Sequence, residues 1–313
     1  MLLDYVRQYG DVPFAESKPN ALDLLALAEM SNFEYASNTA DLPMAQAVDM
    51  AVLPTITDAG NTTIVALDNK EDLDLAQLVK TAKRYEDVTL LDFDSHYVEG
   101  GQQFGAIAVR AAGALCVAFR ATDLTVTGWQ ESLELSRDVP TGSQVDAAAF
   151  LKRAHRRWPG PLVVCGHSKG GNLAEYASRE LVEEDPAAAD DLVCIVSFDG
   201  PGLPPHYRDT DAYRRIAPLM HTFIPRSSIV GNIHEHAAGT VAYVDAVKPF
   251  VMQHYVYNWT TNGTHLVASR QSIVGKVASA ALNLLIDVTD DAGKSRIFNM
   301  LFKPYRLLNK RLL

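Results

Sequence analysis

The stretch Pro161–Leu173, P-L-V-V-C-G-H-S-K-G-G-N-L, limits what this chain can fold into more than any other. Leu162–Cys165 is a short apolar run of the kind that forms a strand buried on both faces. A helix-compatible segment, Asn172–Leu181, follows, and between the two stands Gly166-His167-Ser168-Lys169-Gly170. A G-x-S-x-G placed between a buried strand and a helix predicts a sharp turn that lifts a serine hydroxyl above a sheet edge. The glycines have a task there, because only residues without a Cβ fit beside a serine held in so strained a conformation. The helix that follows would set its positive N-terminal end beneath negative charge developing at Ser168. A glycine-rich phosphate loop is the competing reading. The chain has no G-x-x-x-x-G-K-[ST], however, and Lys169 lies on the wrong side of the serine for one.

Around this turn, helical and strand patterns alternate. Asn20–Glu34 carries leucines at helical spacing behind an asparagine able to cap it, Asp41–Val52 is a softer helical segment, and Leu73–Tyr85 is again helical. Ala51–Ile64, with Pro54 and Gly60, reads as loop. Gln103–Val109 and Ala114–Phe119 predict two strands joined in a hairpin by Arg110–Gly113. Gly128–Glu134 reads as loop or short helix, and Gln144–Arg157 as a helix that ends at the Trp158–Pro161 turn. Further strands are expected at Leu192–Phe198, Met220–Ile224 and Thr240–Val244, with helices over Thr210–Ile216 and Ser272–Asp287. Such alternation predicts an α/β protein with a mainly parallel central sheet, helices on both faces and right-handed crossovers. Antiparallel pieces belong at its N-terminal edge. No repeat or linker divides the chain, so residues 1–313 are expected as a single domain, with 268–313 a C-terminal helical extension.

Composition narrows the function classes. A formal net charge of −10 argues against a general nucleic-acid surface. Cys116, Cys165 and Cys194 each lie in an apolar run without metal-ligand spacing, which predicts buried, reduced thiols and suits a reducing cytoplasm. The first residues, M-L-L-D-Y-V-R-Q-Y-G, do not read as a secretory signal, and no apolar run is long enough for a transmembrane helix. A soluble cytoplasmic protein is expected. The basic, leucine-bearing end, F-K-P-Y-R-L-L-N-K-R-L-L, reads either as a helix docked on the body or as a peripheral membrane contact.

A serine hydroxyl attacks only when a base takes its proton and a third group orients that base. These partners gather where parallel strands end, in the chain order serine, acid, histidine. Six histidines lie well beyond Ser168: His206, His221, His234, His236, His254 and His265. His254 is best placed, after a strand and at the head of an aromatic stretch, whereas His221 sits inside a strand pattern. His234 and His236 have a spacing that a metal could use, but no third ligand matches, so neither a metal nor a cofactor is expected. For the acid, Asp199 ends the strand Leu192–Phe198 and precedes Gly200-Pro201-Gly202, as an orienting carboxylate or as a turn-former. Asp245 also ends a strand and is the alternative. An oxyanion would need preorganised donors. The Lys169 backbone N–H supplies one and Thr122, after Ala114–Phe119, a second, with the Lys169 side chain expected on the outer surface of the helix.

Phe119–Asp123 (F-R-A-T-D), Gly166–Ala174 (G-H-S-K-G-G-N-L-A) and Ser197–Gly202 (S-F-D-G-P-G) together resemble the Mbeg1-like family of α/β-hydrolase-fold proteins. Pro225–Gly231, Gln253-His254 ahead of Trp259, Asn20–Asp23 and Gln103-Phe104 fit the same pattern, so the resemblance spans about Asn20 to Trp259. More distantly the chain is similar to fungal-type triacylglycerol lipases, whose F-R-G-[ST] and G-H-S-L-G-G correspond to Phe119–Thr122 and Gly166–Gly171. Two departures stand out. Ala121 replaces a glycine, and Ser227 and Ser228 occupy the place where those lipases carry their acid. The resemblance implies an α/β-hydrolase fold and a serine hydrolase acting on a carboxylic ester or lipid, with Ser168, His254 and Asp199 as catalytic residues. A hydrolase fold kept only for binding or scaffolding, and an acyltransferase using the same site, are the competing expectations. Ala51–Ile64 and Pro201–Arg214 are the segments placed to form a lid.

Overall fold

Among the described residues, eight strands pair into one sheet whose spatial order is their order in the chain. They are β1 (Leu42–Pro43), β2 (Thr89–Val98), β3 (Gln102–Ala111), β4 (Ala114–Phe119), β5 (Leu162–His167), β6 (Leu192–Phe198), β7 (Met220–Pro225) and β8 (Val241–Val244). The first four pair antiparallel in succession, and from β4 to β8 every pairing is parallel. This is an α/β-hydrolase fold with its antiparallel part at the N-terminal edge. The computed structural model describes residues 1–289, apart from 54, 59–60, 65–68, 99–101, 123–130, 132–134, 136–138 and 238–239.

Period-two alternation along the central strands divides the core between the two faces. Val163 and Cys165 of β5 join Ile107, Val109, Cys116 and Ala118 on one face, covered by α1 (Leu2–Tyr9), α2 (Ala21–Met30), α3 (Met44–Asp49) and α4 (Asn69–Thr81). Leu162 and Val164 point the other way, with Ala106, Ala108, Val117 and Phe119, beneath α5 (Gly142–Arg157), α6 (Lys169–Glu184) and α7 (Asp211–Ile216). Both faces of β5 are therefore dry, as its unbroken apolar run requires.

Local rules set the helix starts. Asn20 accepts from Leu22 N–H while Asp23 accepts from Asn20 N–H, closing a capping box on α2. Thr141 and Gln144 close another on α5, which begins two residues earlier than its periodicity indicates. Asp23 also takes a bidentate pair from Arg84 at 2.7 and 2.6 Å, with both side chains buried, and this ties α2 to the 3-10 turn Lys83–Tyr85 that follows α4.

Several expectations are corrected. Ala51–Ile64 is not all loop: Thr55–Asp58 pairs antiparallel with Asn61–Ile64. Neither strand alternates apolar with polar residues, which hides the hairpin. Strand β2, T-L-L-D-F-D-S-H-Y-V, is half-buried along most of its length, so it too lacks an apolar run. Cys194 is half-buried, whereas Cys116 and Cys165 are buried; burial pushes the Cys194 thiol up to about 11. Within Pro201–Arg214, Leu203 and Tyr207 are buried in the core under α6. The last helix among the described residues, α8, spans Ile273–Val288. The basic terminal stretch and all of Gly128–Glu134 except Glu131 lie outside the described residues. Among the described residues, no helix is long and apolar enough to cross a membrane.

Candidate active site

Strand β5 ends at His167, helix α6 begins at Lys169, and Ser168 makes the entire turn with φ 56° and ψ −123°. That conformation costs a non-glycine residue about 1–3 kcal/mol and persists only where its surroundings over-determine it. Those surroundings are tight. A Cβ on Gly166 would lie 2.2 Å from the Gly170 carbonyl, and one on Gly170 would lie 2.1 Å from the Phe119 carbonyl oxygen. The elbow is therefore pressed against the end of β4, and Ser168 N–H donates to Phe198 O at 2.9 Å, which ties it to the end of β6.

Three side chains meet at this edge. Ser168 Oγ lies 2.8 Å from His254 Nε2, and His254 Nδ1 lies 2.7 Å from Asp199 Oδ2. A carboxylate only accepts, so Nδ1 carries the proton and Nε2 faces the serine hydroxyl as the acceptor. All three are buried, Asp199 completely, at 7%, 6% and 0% exposure for Ser168, His254 and Asp199. Asp199 has φ 52°, its N–H donates to Phe223 O at 2.8 Å, and its carboxylate takes two further hydrogen bonds. Ser228 Oγ donates to Oδ2 at 2.7 Å and Gly231 N–H to Oδ1 at 3.1 Å. A Cβ on Gly231 would sit 2.3 Å from Asp199 Oδ1, so only glycine allows that approach. Asp245 is elsewhere, accepting from Thr260 at 3.0 Å and lying 3.5 Å from Arg226.

His254 ends a short 3-10 turn, Phe250–His254, pinned from both sides. Gln253 accepts from Ser227 N–H through its side chain, and Trp259, wholly buried, donates its indole N–H to the Gln253 carbonyl at 2.7 Å. Beneath the histidine, His167 Nε2 donates to the His254 carbonyl at 2.9 Å, and the two rings lie 4.9 Å apart. Glu29 Oε1 stands 3.2 Å from His167 Nδ1. Burial alone would lower the pKa of His167, but Glu29 outweighs it and holds the imidazole above its ordinary value. Sequence reasoning did not find His167 and Glu29; the only local signal is that His167 adjoins the serine.

The Lys169 side chain is not on the outer surface. It is 1% exposed and runs inward to Glu131 Oε2 at 3.0 Å, Gln103 Oε1 at 2.8 Å and the Gln103 carbonyl. Glu131 also accepts from Ser143 N–H at 2.8 Å, Ser143 Oγ at 2.7 Å and Gln103 N–H at 3.1 Å. Burial raises its pKa, and the Lys169 charge together with these donors more than reverses that, leaving the carboxyl below its ordinary range. The reason for the inward turn is that Glu131 would otherwise be a buried, unpaired charge. Because α6 starts at Lys169, its first N–H groups have no carbonyl a turn back to bond. Thr122 is buried two residues beyond Arg120, whose guanidinium donates to the carbonyls of Ser31 and Phe33 and to Ser95 Oγ, all at 2.8–2.9 Å. Those bonds fix the segment that carries Ala121 and Thr122 beside the elbow.

His236 and His234 have other partners. His236 lies 3.2 Å from Glu175 and 2.8 Å from the Gly231 carbonyl, while His234 N–H donates to Asn283. Among the described residues no group of three His, Cys, Asp or Glu side chains is arranged to hold a metal.

Residues 79–303 match the family model described as Mbeg1-like. The chain belongs to the Mbeg1-like family. No curated protein matches it. Among solved structures, this Mbeg1-like protein is similar to a mutant of MDLA from Penicillium cyclopium, at 12% identity and a TM-score of 0.46 over 89% of this chain and 90% of that one. It is also similar to lipase II from Rhizopus niveus, at 11% identity and a TM-score of 0.44 over 87% and 96%. Native Rhizomucor miehei lipase in its propeptide complex matches at 11% identity and a TM-score of 0.41 over 84% and 78%.

Proposed function

We propose that this Mbeg1-like protein is a serine hydrolase that cleaves a carboxylic ester, lipid or acyl, through an acyl-enzyme. One observation carries the reading: the buried row Ser168 Oγ, His254 Nε2, His254 Nδ1 and Asp199 Oδ2, with spacings of 2.8 and 2.7 Å across its two hydrogen bonds. Ser168 Oγ attacks the ester carbonyl carbon as its proton passes to His254 Nε2. Asp199 holds the imidazole in the required tautomer and stabilises the imidazolium. The carbonyl oxygen becomes an oxyanion facing the Lys169 N–H and Thr122. When the tetrahedral intermediate collapses, the C–O bond to the alcohol breaks and the leaving alkoxide takes the proton from Nε2. A water then gives a proton to His254 Nε2 as its oxygen attacks the acyl carbon; the bond from that carbon to Ser168 Oγ breaks, Nε2 returns the proton to Oγ, and the carboxylic acid leaves.

A fluorophosphonate probe tests this directly. Folded wild-type protein should label and Ser168→Ala should not. Absence of labelling in folded wild-type protein would refute the proposal.

A further inference from the structure

Helix α8 has two unlike sides. Its inner side is fixed to residues 226–234: Asn283 donates to the Asn232 carbonyl at 2.7 Å and accepts from His234 N–H at 3.0 Å, and the Ser272 and Ser227 hydroxyls meet at 2.8 Å. Ser279 and Leu282 are buried there. Its outer side carries Ile273, Val274, Val277, Leu284, Leu285 and Val288, each between 45% and 81% exposed. At about 100° per residue these six fall within an arc of roughly 120°, and the exposed residue inside that arc, Ala281, is apolar as well. Lys276 lies outside it. The result is a continuous apolar stripe about 24 Å long, at 1.5 Å per residue, on a helix whose inner face is already occupied. A stripe of this kind marks a docking surface.

The sequence that follows indicates what it meets. Residues 292–313 contain six basic side chains, Lys294, Arg296, Lys303, Arg306, Lys310 and Arg311, and no acidic one, in a chain of net charge −10. Leucines and phenylalanines are interleaved among them. A second copy seated stripe to stripe would bring two such cationic segments together, at a cost in like-charge repulsion. A negatively charged bilayer satisfies both features at once, since the stripe enters the headgroup boundary while lysines and arginines meet anionic lipid. We propose that the outer stripe of α8 is a peripheral docking face for an anionic lipid surface, to which the basic residues in the sequence after it add charge attraction. The inference is independent of the reaction at Ser168. It also has a positional consequence, because α8 rests on the same segment, 226–234, that supplies the Ser228 and Gly231 donors to Asp199.

Flotation of the full-length protein with phosphatidylcholine vesicles, with and without phosphatidylserine, tests it. Wild type should float with the phosphatidylserine vesicles, bind pure phosphatidylcholine at least about tenfold more weakly, and lose binding as salt rises. Val277→Asp with Leu284→Asp, both at exposed positions, should cut binding by at least about tenfold with an unchanged melting temperature. Lys303→Glu, Arg306→Glu, Lys310→Glu and Arg311→Glu together should do the same. Failure of wild type to float, or wild-type binding by either variant, overturns the proposal. So does a dimer that the stripe variant breaks without any vesicle binding, which would assign the stripe to a second copy. A stripe variant that melts several degrees lower overturns it as well, because the stripe would then be covered within the chain.

Discussion

Replacing Asp199 by asparagine isolates the one side chain whose role position in the chain left open. The substitution keeps volume and burial. Oδ1 can still accept from Gly231 N–H, and an amide NH2 in place of Oδ2 can donate to Ser228 Oγ or to His254 Nδ1. At that position it can no longer accept the hydrogen bond from Nδ1–H. The imidazole is then driven to the other tautomer, with its proton on Nε2 aimed at Ser168 Oγ and no lone pair there to receive the serine's proton. The transition state also loses the charge that stabilises the imidazolium. A loss of this type in a Ser-His-Asp site is on the order of 10⁴-fold in kcat. That corresponds to about 5.5 kcal/mol of barrier. The assay is hydrolysis of a p-nitrophenyl ester, or the rate of fluorophosphonate labelling, with melting temperature as the control for folding. Asp245→Asn is the internal comparison and should stay within about twofold, because Asp245 bonds Thr260 at the end of β8 and not the histidine. An Asp199→Asn protein that folds and retains wild-type kcat would refute the reasoning, and loss of activity in Asp245→Asn would name the group that replaces it.

Gly231→Ala places a Cβ 2.3 Å from Asp199 Oδ1 and 3.1 Å from two carbons of Ile224, so activity should fall at least about tenfold and Tm by several degrees, measured by ester hydrolysis and thermal melting. Lys169→Met leaves Glu131 as a buried unpaired carboxylate and should cost about 3–5 kcal/mol by urea unfolding, with much of the loss recovered when Glu131→Gln is added. Because the Glu131 carboxyl is held below its ordinary value, the stability it contributes is complete above about pH 4.5 and lost as pH falls through the depressed pKa; the double variant should lack that acid limb. For His167 the sign is opposite: its raised pKa makes the contribution of Glu29 complete below about pH 6.5 and lost as pH rises through the folded value. Glu29→Gln should therefore lower Tm more at pH 6 than at pH 9, and an equal loss at both would show that the pair is not ionised.

The elbow was legible because everything that makes it lies within thirteen consecutive residues. An apolar strand, a pair of close-packed glycines and a helix are local requirements, and Ser168 falls where they intersect. His254 was visible through chain order and its position after a strand. What the sequence could not supply were partners distant along the chain. Lys169 reads as a surface lysine until Glu131, 38 residues away, is known to be buried against it. Glu29 reads as the polar face of α2, yet it is 4% exposed and pairs with a histidine on β5. The hairpin Thr55–Asp58 with Asn61–Ile64 and strand β2 escaped for the complementary reason. None of these segments forms the continuous apolar run that marks the central strands in the sequence.

The same distinction resolves the two serines, Ser227 and Ser228, at the position where the resemblance to fungal-type lipases implies an acid. Read along the chain, Ser227 and Ser228 look like a missing carboxylate. In the fold, Ser228 follows β7, the strand beside β6, and its hydroxyl reaches across to donate to Asp199 at 2.7 Å. Ser227 N–H reaches the other way, to the Gln253 side chain next to His254. On the proposed reading Asp199, after β6, is the orienting carboxylate, and position 228, after β7, supplies a hydrogen bond that aims it. A carboxylate at 228 would instead set two like charges within hydrogen-bonding distance, which raises one pKa strongly and leaves a single proton shared between them. Ser228→Asp should then be worse than Ser228→Ala. The alanine variant loses one of three donors, for about a tenfold loss of activity or less, whereas the aspartate should abolish labelling near neutral pH and recover part of it only as acid neutralises the pair. Wild-type activity in Ser228→Asp would mean that the acid can sit on either strand and that Asp199 is not uniquely required.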